Sequence, residues 1–380
     1  MAPCLHKYGH LLREEEQKLT VMRHFAMQIA LFASHQFGWS LDEIAAPGWR
    51  SAPMAGPLFI VGHQRSGTTY LQRLLATNKS HIRTLTLIDI MLPSVAIQRA
   101  LGTALGVVIH EETSLARGLD EVVRQVEDRF FGRINPMHEL RFQAPAEDEF
   151  VLWGIFASIT CLNDSPLSST MPDPHGLRDF ASWSERERAR AFGWYKACLL
   201  KKIHRELGTS EAGPVWMLSK NPAFTHKILY LRECFPHARF VYLVRSPLQT
   251  IPSRLSLIRE IWRARYSRFR EMSPGQVQAI LRDSYRTYRA AEEQLAQLPE
   301  STFLVVPYPE LKEDPAGVVN RIHERFGIPR DPEAPPPLPR SRRAASDGYE
   351  SRHRYSLRDF SLSERELRAE LAPIFARYGF

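Results

Sequence analysis

"GPLFIVGHQRSGTTYLQRLLA", residues 56–76, decides how the rest of the chain is read. Leu58-Phe59-Ile60-Val61 is a short apolar run, the mark of a strand buried on both faces. Residues 69–76 then carry apolar positions at helical spacing. Between them, Gly62, four residues, Gly67, Thr68 and Thr69 keep the spacing of the phosphate-binding pattern G-x-x-x-x-G-K-[ST]. Thr68 stands where that pattern has lysine. The two glycines let backbone approach an oxyanion, and the amides from Arg65 to Thr69, Ser66 and Gly67 among them, point inward at a helix N-terminus. Thr68 and Thr69 add hydroxyl donors and Arg65 a planar cation. Such a loop suits a bound phosphate. It is poorly equipped for Mg²⁺-assisted γ-phosphoryl transfer, and no strand ends in an evident metal-binding aspartate.

The same plan recurs downstream. Residues 215–218 predict a strand, "SKNPAFTH" a turn, and 227–234 a helix. "ARFVYLVRSP" (238–247) predicts a strand ending in Arg245, and "STFLVVPYPEL" (301–311) a fourth strand. Strands alternating with helices imply a parallel α/β sheet with right-handed crossovers. The sequence predicts a helix over residues 11–37, closed by a glycine, and a Pro/Gly-rich approach over 47–57. The expected division is an N-terminal helical segment (1–50), an α/β core (51–330) with a helical cap (about 101–207), and a Pro-rich linker with a C-terminal segment (331–380). A last helix is expected from about Ser363.

Composition narrows the partners. The chain has 380 residues, 44% hydrophobic and 24% charged, as an ordinary globular enzyme does. Its formal charge is +8 and its pI about 9.4, with arginine abundant and no polybasic block. Dispersed arginine favours local phosphate sites over a nucleic-acid face. Cys4, Cys161, Cys198 and Cys234 have no pairing pattern and read as free thiols of a reducing, cytoplasmic compartment. No secretory leader and no run of about 18 apolar residues is evident. A peripheral membrane contact through the N-terminal helix is the lesser alternative to its packing or lining a pocket.

"FIVGHQRSGTTYLQRLL" resembles the 5′-phosphosulfate loop of sulfotransferases that use 3′-phosphoadenosine-5′-phosphosulfate (PAPS), and "FPHARFVYLVRSPLQTIPSRLSLI" resembles their 3′-phosphate segment. "PAEDEFVLW", "LSKNPAFTHKILYLRECFP" and "HRYSLRDFSLSERELRAELAPIFARYGF" are similar to the large, mostly bacterial branch of that family. The resemblance spans about residues 57–378. It implies a P-loop NTPase-like three-layer sandwich with a central parallel sheet. It also implies PAPS as donor, its product PAP, and no required metal. Arg65, Ser66, Gly67, Thr68 and Thr69 then hold the 5′ end, and Arg245 with Ser253, eight residues on, the 3′-phosphate.

Sulfuryl transfer, like phosphoryl transfer, is an in-line displacement driven by positioning and charge. Lys220 in "LSKNP" is placed to stabilise the bridging oxygen in place of the loop's missing lysine. The base that takes the acceptor's proton is open among Glu147, Asp148 and Glu149 of the acidic cluster, with Asp89 second. The cluster's alternative reading is an acidic helix start. His63 inside the loop either shuttles a proton or fills space, and His110 and His138 read as ordinary histidines. Arg352, His353 and Arg354 are where a C-terminal segment closes on the 3′-phosphate in the family. Phe130, Phe131, Trp153, Phe156 and Trp183 permit a bulky aromatic or lipidic small-molecule acceptor, or simply form core. The competing functions are a P-loop kinase for a small metabolite and a PAP-binding protein without chemistry.

Overall fold

The computed structural model describes residues 15–108, 114–132, 141–158, 180–208, 213–265, 269, 271–335 and 356–380. In chain order its elements are α1 (Glu15–Ala45), β1 (Met54–Val61), α2 (Thr68–Leu75), β2 (Ile82–Thr84), α3 (Leu87–Met91), α4 (Val95–Val108), α5 (Ser114–Phe131) and α6 (Glu185–Leu207). Then follow β3 (Val215–Lys220), α7 (Ile228–Cys234), β4 (Arg239–Val244), α8 (Pro247–Arg265), α9 (Pro274–Leu295), β5 (Phe303–Pro307), α10 (Tyr308–Glu313), α11 (Pro315–Phe326), α12 (Glu364–Glu370) and α13 (Ala372–Tyr378). The chain divides into two compact units. One is drawn from 1–53, 85–161 and 175–213, the other from 54–84, 162–174 and 214–380.

The second unit carries the sheet. Its five strands are all parallel, in the order β2-β3-β1-β4-β5. Residues 58–61 of β1 are wholly buried, which only a strand covered on both faces allows. Successive side chains point to opposite faces. Leu58 and Ile60 join Leu71, Leu74 and Leu75 of α2 and Ile322 and Phe326 of α11 in one core. Phe59 meets Phe224, Phe235 and Phe240 in a separate aromatic cluster. Helices on both faces of a parallel sheet make the three-layer α/β sandwich that the sequence implies.

β1 is the topological switch point. The chain leaves it outward to β2, returns to β3 beside it, and later pairs β4 on its other edge. Ligands of open α/β sheets bind beyond the carboxyl ends of the strands at such a point. Residues 62–67, Asn221 and Arg245 all follow those strand ends.

Two elements differ from expectation for the same reason: glycines that serve close packing rather than turning. β1 begins at Met54, inside the presumed approach segment, because Gly56 lets the His237 carbonyl approach. A Cβ there would lie 2.7 Å from that oxygen. The described part of α1 runs through Gly38 to Ala45, because a Cβ at Gly38 would lie 2.7 Å from the Ser94 Cβ. β2, three residues long, gave no periodicity to read. The C-terminal helix starts behind a Ser363 N-cap as expected, and then restarts at Ala372 as a second helix with proline in its first turn.

The first unit is helical where described. α1 turns polar side chains inward: Gln28, His35 and Asp42 are buried. Asp42 accepts from Ser94 Oγ (2.9 Å) and Ala96 N (2.8 Å) and pairs with the buried Lys201 at 2.9 Å. The His35 Nε2 lies 3.0 Å from the Met91 carbonyl. Phe156 and Trp183 are buried in this unit and Trp153 is half-buried. His110, His138, Arg352, His353 and Arg354 lie outside the described residues, as do Cys4 and Cys161; Cys198 and Cys234 are free thiols.

Candidate functional site

The loop after β1 takes its shape from three unusual backbone positions. Gly62 has φ +138°, and a Cβ on it would lie 2.4 Å from the Leu243 carbonyl of β4. Gly67 has φ +95°, and a Cβ on it would press 2.6 Å from the Tyr308 ring. Both positions therefore exclude side chains, for steric reasons as well as for φ. Arg65, at φ +70°, is a non-glycine residue in the left-handed region. The Thr225 hydroxyl ties the loop to the turn after β3, accepting from Gly62 N (2.9 Å) and donating to Gly62 O (3.1 Å).

α2 starts at Thr68 with Gly67 as its N-cap, so no side chain caps it. Tyr70 N donates to the Gly67 carbonyl at 3.0 Å; the Thr68 and Thr69 amides before it have no acceptor within the helix, and the helix dipole adds positive potential there. Thr68 is buried and Thr69 half-buried at this end, and Ser66 is buried beside them.

Arg65 and Arg245 meet across 180 positions of sequence. Arg245 Nη1 donates to the Arg65 carbonyl at 3.1 Å, and Arg65 Nε donates to Ser253 Oγ at 3.0 Å. Ser253, buried on α8, thus spends an acceptor lone pair on Arg65 and keeps its own proton to donate. Arg245 is held further by Gln249 Oε1 (2.9 Å from its Nε) and by the Tyr308 ring, 4.3 Å from its Cζ. Gly67, Arg65, Arg245 and Ser253 therefore form one connected constellation within the second unit.

Lys220 belongs to the same unit. It ends β3, is 1% exposed, and pairs in register with Ile60, two residues before the loop. Asn221, next in sequence, fixes the turn: its Oδ1 accepts from Ala223 N at 3.0 Å and its own amide donates to the Ile60 carbonyl at 3.1 Å. Its Nδ2 is buried with no acceptor among the described residues.

Sequence reasoning missed the residues that brace the constellation. Tyr288 of α9 donates to the Arg245 carbonyl at 2.7 Å, shares a 2.6 Å hydrogen bond with Thr250, and stacks on His63 at 5.0 Å. Tyr308 and Thr225 act as described above. Thr225 and Tyr308 lie in stretches read only for their turn and strand pattern and Tyr288 in none, and each lies more than 150 positions from the loop; only the fold shows what they do.

His63 is buried. Burial, with the charge of Arg254, pushes its pKa down to about 3, so it is neutral. Its Nδ1 sits 2.6 Å from the Gln64 carbonyl and so carries the proton. Its ring is a neutral spacer against Tyr288.

The carboxylates singled out in the sequence belong to the first unit. Burial alone would raise the Asp89 pKa. Lys202 (2.7 Å) and Arg205 (2.9 Å) outweigh burial and hold it below the usual carboxylate range. Asp89 also accepts from Thr86 N and Oγ1 in a capping box, at 2.9 and 2.8 Å. A carboxylate so occupied is a poor proton acceptor. Asp148 is buried and accepts from the Tyr195 hydroxyl at 2.5 Å; Glu149 is buried and accepts from Ser158 Oγ at 2.7 Å. Glu147 is half-buried and stands at the N-cap of the 3₁₀ turn Asp148–Ile155 without capping it by its side chain.

Residues 57–332 match the sequence profile described as the sulfotransferase family. Two curated relatives, each an omega-hydroxy-beta-dihydromenaquinone-9 sulfotransferase Stf3, from Mycobacterium bovis (strain ATCC BAA-935 / AF2122/97) and Mycobacterium tuberculosis (strain CDC 1551 / Oshkosh), are 24% identical over 275 residues. These alignments cover 72% of this chain and 63% of the relatives' own length. Among solved structures, sulfotransferase STF9 from Mycobacterium avium has a TM-score of 0.72 at 18% identity, covering 95% of this chain and 86% of its own. STF1 from Mycobacterium tuberculosis H37Rv has a TM-score of 0.67 at 19% identity, covering 96% and 89%. The structural likenesses establish the fold, and the profile match over most of the chain establishes the lineage: this chain belongs to the sulfotransferase family.

Proposed function

We propose that the protein is a PAPS-dependent sulfotransferase that sulfates a hydroxyl, or an amine, of a small-molecule acceptor. The observation that carries this reading is the Arg65–Ser253–Arg245 constellation. It sets a second cationic site, at the end of β4, directly against a phosphate loop. PAPS differs from ATP in its ribose 3′-phosphate, and a second anion site beside the loop is what that group needs.

The residues present fit such a ligand. Gly62 and Gly67 give the loop a backbone path, pressed against β4 and Tyr308, that a residue with a side chain could not follow, and Asn221 Nδ2 offers a buried donor. We assign the 5′ end to the first-turn amides of α2 with Ser66, Gly67, Thr68, Thr69 and Arg65. The 3′-phosphate is assigned to Arg245 and the Ser253 hydroxyl. When bound, PAPS supplies an activated sulfuryl group and a phosphate leaving group. Lys220 is assigned to neutralise charge on the oxygen that leaves, in a setting where it is screened from water. These groups are cations and neutral donors without a carboxylate. The reading therefore requires no metal.

Of the acidic cluster, we assign the base to Glu147, because Asp148 and Glu149 are buried on hydroxyl donors while Glu147 is only half-buried. Asp148 positions the turn, and Asp89 anchors α3 to α6 through Lys202 and Arg205. The relatives act, by name, on a hydroxylated menaquinone. For this chain we propose an acceptor of similar kind, apolar or aromatic with one hydroxyl. Among the described residues no helix is long and apolar enough to cross a membrane. We place the reaction in the cytoplasm, where Cys198 and Cys234 would stay reduced.

The test is transfer itself: labelled sulfate from PAPS onto a panel of phenols, sterols and long-chain alcohols, followed by mass spectrometry, with EDTA in a parallel arm. Transfer undiminished by EDTA is expected. Nucleotide-dependent phosphorylation in place of sulfation would reverse the assignment.

A further inference from the structure

α9 carries none of the residues assigned to the nucleotide, yet its buried face holds the segments that do. Ser284, Thr287, Tyr288, Ala291 and Leu295 recur at three- and four-residue spacing along that face. Ser284 Oγ accepts from Arg254 Nη1 of α8 at 2.9 Å. Thr287 spends its proton on the Asp283 carbonyl (2.9 Å), so its oxygen accepts from His226 Nε2 of the turn after β3 at 3.0 Å. Gln294 reaches the same turn and donates to the Thr225 carbonyl at 3.1 Å. Thr225 is in turn the residue that ties down Gly62.

Tyr288 touches two of these segments at once. Its ring lies nearly parallel to the His63 imidazole of the loop, with 11° between planes and 5.0 Å between centres. Its hydroxyl donates to the Arg245 carbonyl, at the end of β4, at 2.7 Å. A phenol has one proton, so the Thr250 hydroxyl, 2.6 Å away, donates to Tyr288. Burial raises the Tyr288 pKa far above its ordinary value, so the phenol keeps its proton at neutral pH. The bond to Arg245 is to its backbone. It fixes where the side chain starts and leaves the guanidinium to other partners. The loop and the end of β4 are therefore joined twice: by Arg245 Nη1 on the Arg65 carbonyl (3.1 Å), and through Tyr288. The first link uses a guanidinium that an entering phosphate competes for. The second belongs to a side chain only 1% exposed, which a ligand does not displace.

We propose that Tyr288 is a positioning residue that couples the two phosphate sites. A phosphate that settles the loop settles His63, and through the ring and hydroxyl of Tyr288 it steadies the main chain that carries Arg245. The 3′-phosphate is then held more tightly when the 5′ site is filled, and by linkage the converse holds. This rests on the reading of two sites serving the ends of one nucleotide, and adds that the two are not independent.

The test compares PAP, 5′-AMP, 3′-AMP and adenosine on the full-length protein by calorimetry, the weaker ligands by displacement of PAP. The coupling factor is the affinity that a 3′-phosphate adds beside a 5′-phosphate (PAP over 5′-AMP), divided by what it adds alone (3′-AMP over adenosine). The wild type is expected to show a factor of at least about 5, the lower end of ordinary coupling between sites. Tyr288→Phe keeps the ring and removes the hydroxyl; His63→Ala keeps the hydroxyl and removes the stacked partner. Each should bring the factor to within about 2-fold of unity, and either suffices if the other does not fold. Thr287→Val removes the His226 contact from the same helix. It should lower the melting temperature and leave the factor unchanged, as a purely structural role for Tyr288 would also do. A wild type that prefers PAP to 5′-AMP but has a factor near unity, or a Tyr288→Phe protein that keeps the wild-type factor, overturns the coupling and leaves the two-site reading standing. A wild type that does not prefer PAP to 5′-AMP overturns both.

Discussion

At the scale of single residues, the assignments separate binding from chemistry. Arg245→Ala removes a charge-assisted contact worth about 1.5–3 kcal/mol, so PAP affinity should fall roughly 10- to 100-fold by calorimetry. Ser253→Ala removes one hydroxyl donor, worth about 0.5–1.5 kcal/mol, and its loss should be smaller. Equal losses would contradict the division of labour. Glu147→Gln should leave PAP affinity intact while turnover drops on the order of 100-fold or more, the usual contribution of a general base. Unchanged turnover would move the base elsewhere. Asp89→Asn is its counterpart. Lys202 and Arg205 would lose the carboxylate that compensates them, at a cost of about 3–5 kcal/mol. Its melting temperature should therefore fall sharply while the folded fraction keeps its turnover. A stable Asp89→Asn protein without turnover would restore Asp89 as the base.

At the scale of elements, the glycines of the loop are steric necessities. Gly67→Ala sets a methyl 2.6 Å from the Tyr308 ring at φ +95°, and Gly62→Ala sets one 2.4 Å from backbone. The second clash has no flexible partner to move. Gly62→Ala is therefore expected to be the more damaging to folding, and Gly67→Ala to shift Tyr308 away from Arg245 and weaken PAP. Comparing unfolding midpoints and PAP affinity for the pair checks this; a Gly62→Ala protein of wild-type stability would refute the loop geometry. The elements most legible in the sequence were β1, α2, β3, β4 and β5. Each couples an uninterrupted apolar run to a turn signal, and burial on both faces of the sheet rewards that pattern. Gly38 and Gly56 misled, since a glycine that admits a neighbouring side chain or carbonyl looks the same in sequence as one that ends an element. Arg65 and Arg245 were legible because each follows an apolar strand run, and Ser253 because the segment around it resembles the family's 3′-phosphate segment. Tyr288, Thr225 and Tyr308 were not, because what they do depends on which helix or turn the tertiary fold brings to the loop.

At the scale of the whole molecule, buried histidines set the acid limit. Burial lowers His35 to about 4, His63 to about 3 and His226 to about 4, all below the ordinary 6.5. The folded state thus keeps them neutral where the unfolded chain would take up protons. Their contribution is fully present above pH 6.5 and is lost as pH falls from there towards 4. Each group costs about 1.4 kcal/mol per pH unit in that window. The three together should lower stability by on the order of 4 kcal/mol between pH 7.5 and 5.5. Urea unfolding at the two values measures it, and an unchanged midpoint would contradict the burial argument.

The molecule's proposed chemistry rests on two cationic sites serving opposite ends of one nucleotide. Calorimetric affinities for PAP and for 5′-AMP, which lacks the 3′-phosphate, test this in wild type and Arg245→Ala. We predict that the wild type prefers PAP at least 10-fold and that the variant loses this preference while keeping its affinity for 5′-AMP. A variant that weakens on both nucleotides alike, or a wild type that does not distinguish them, would contradict it.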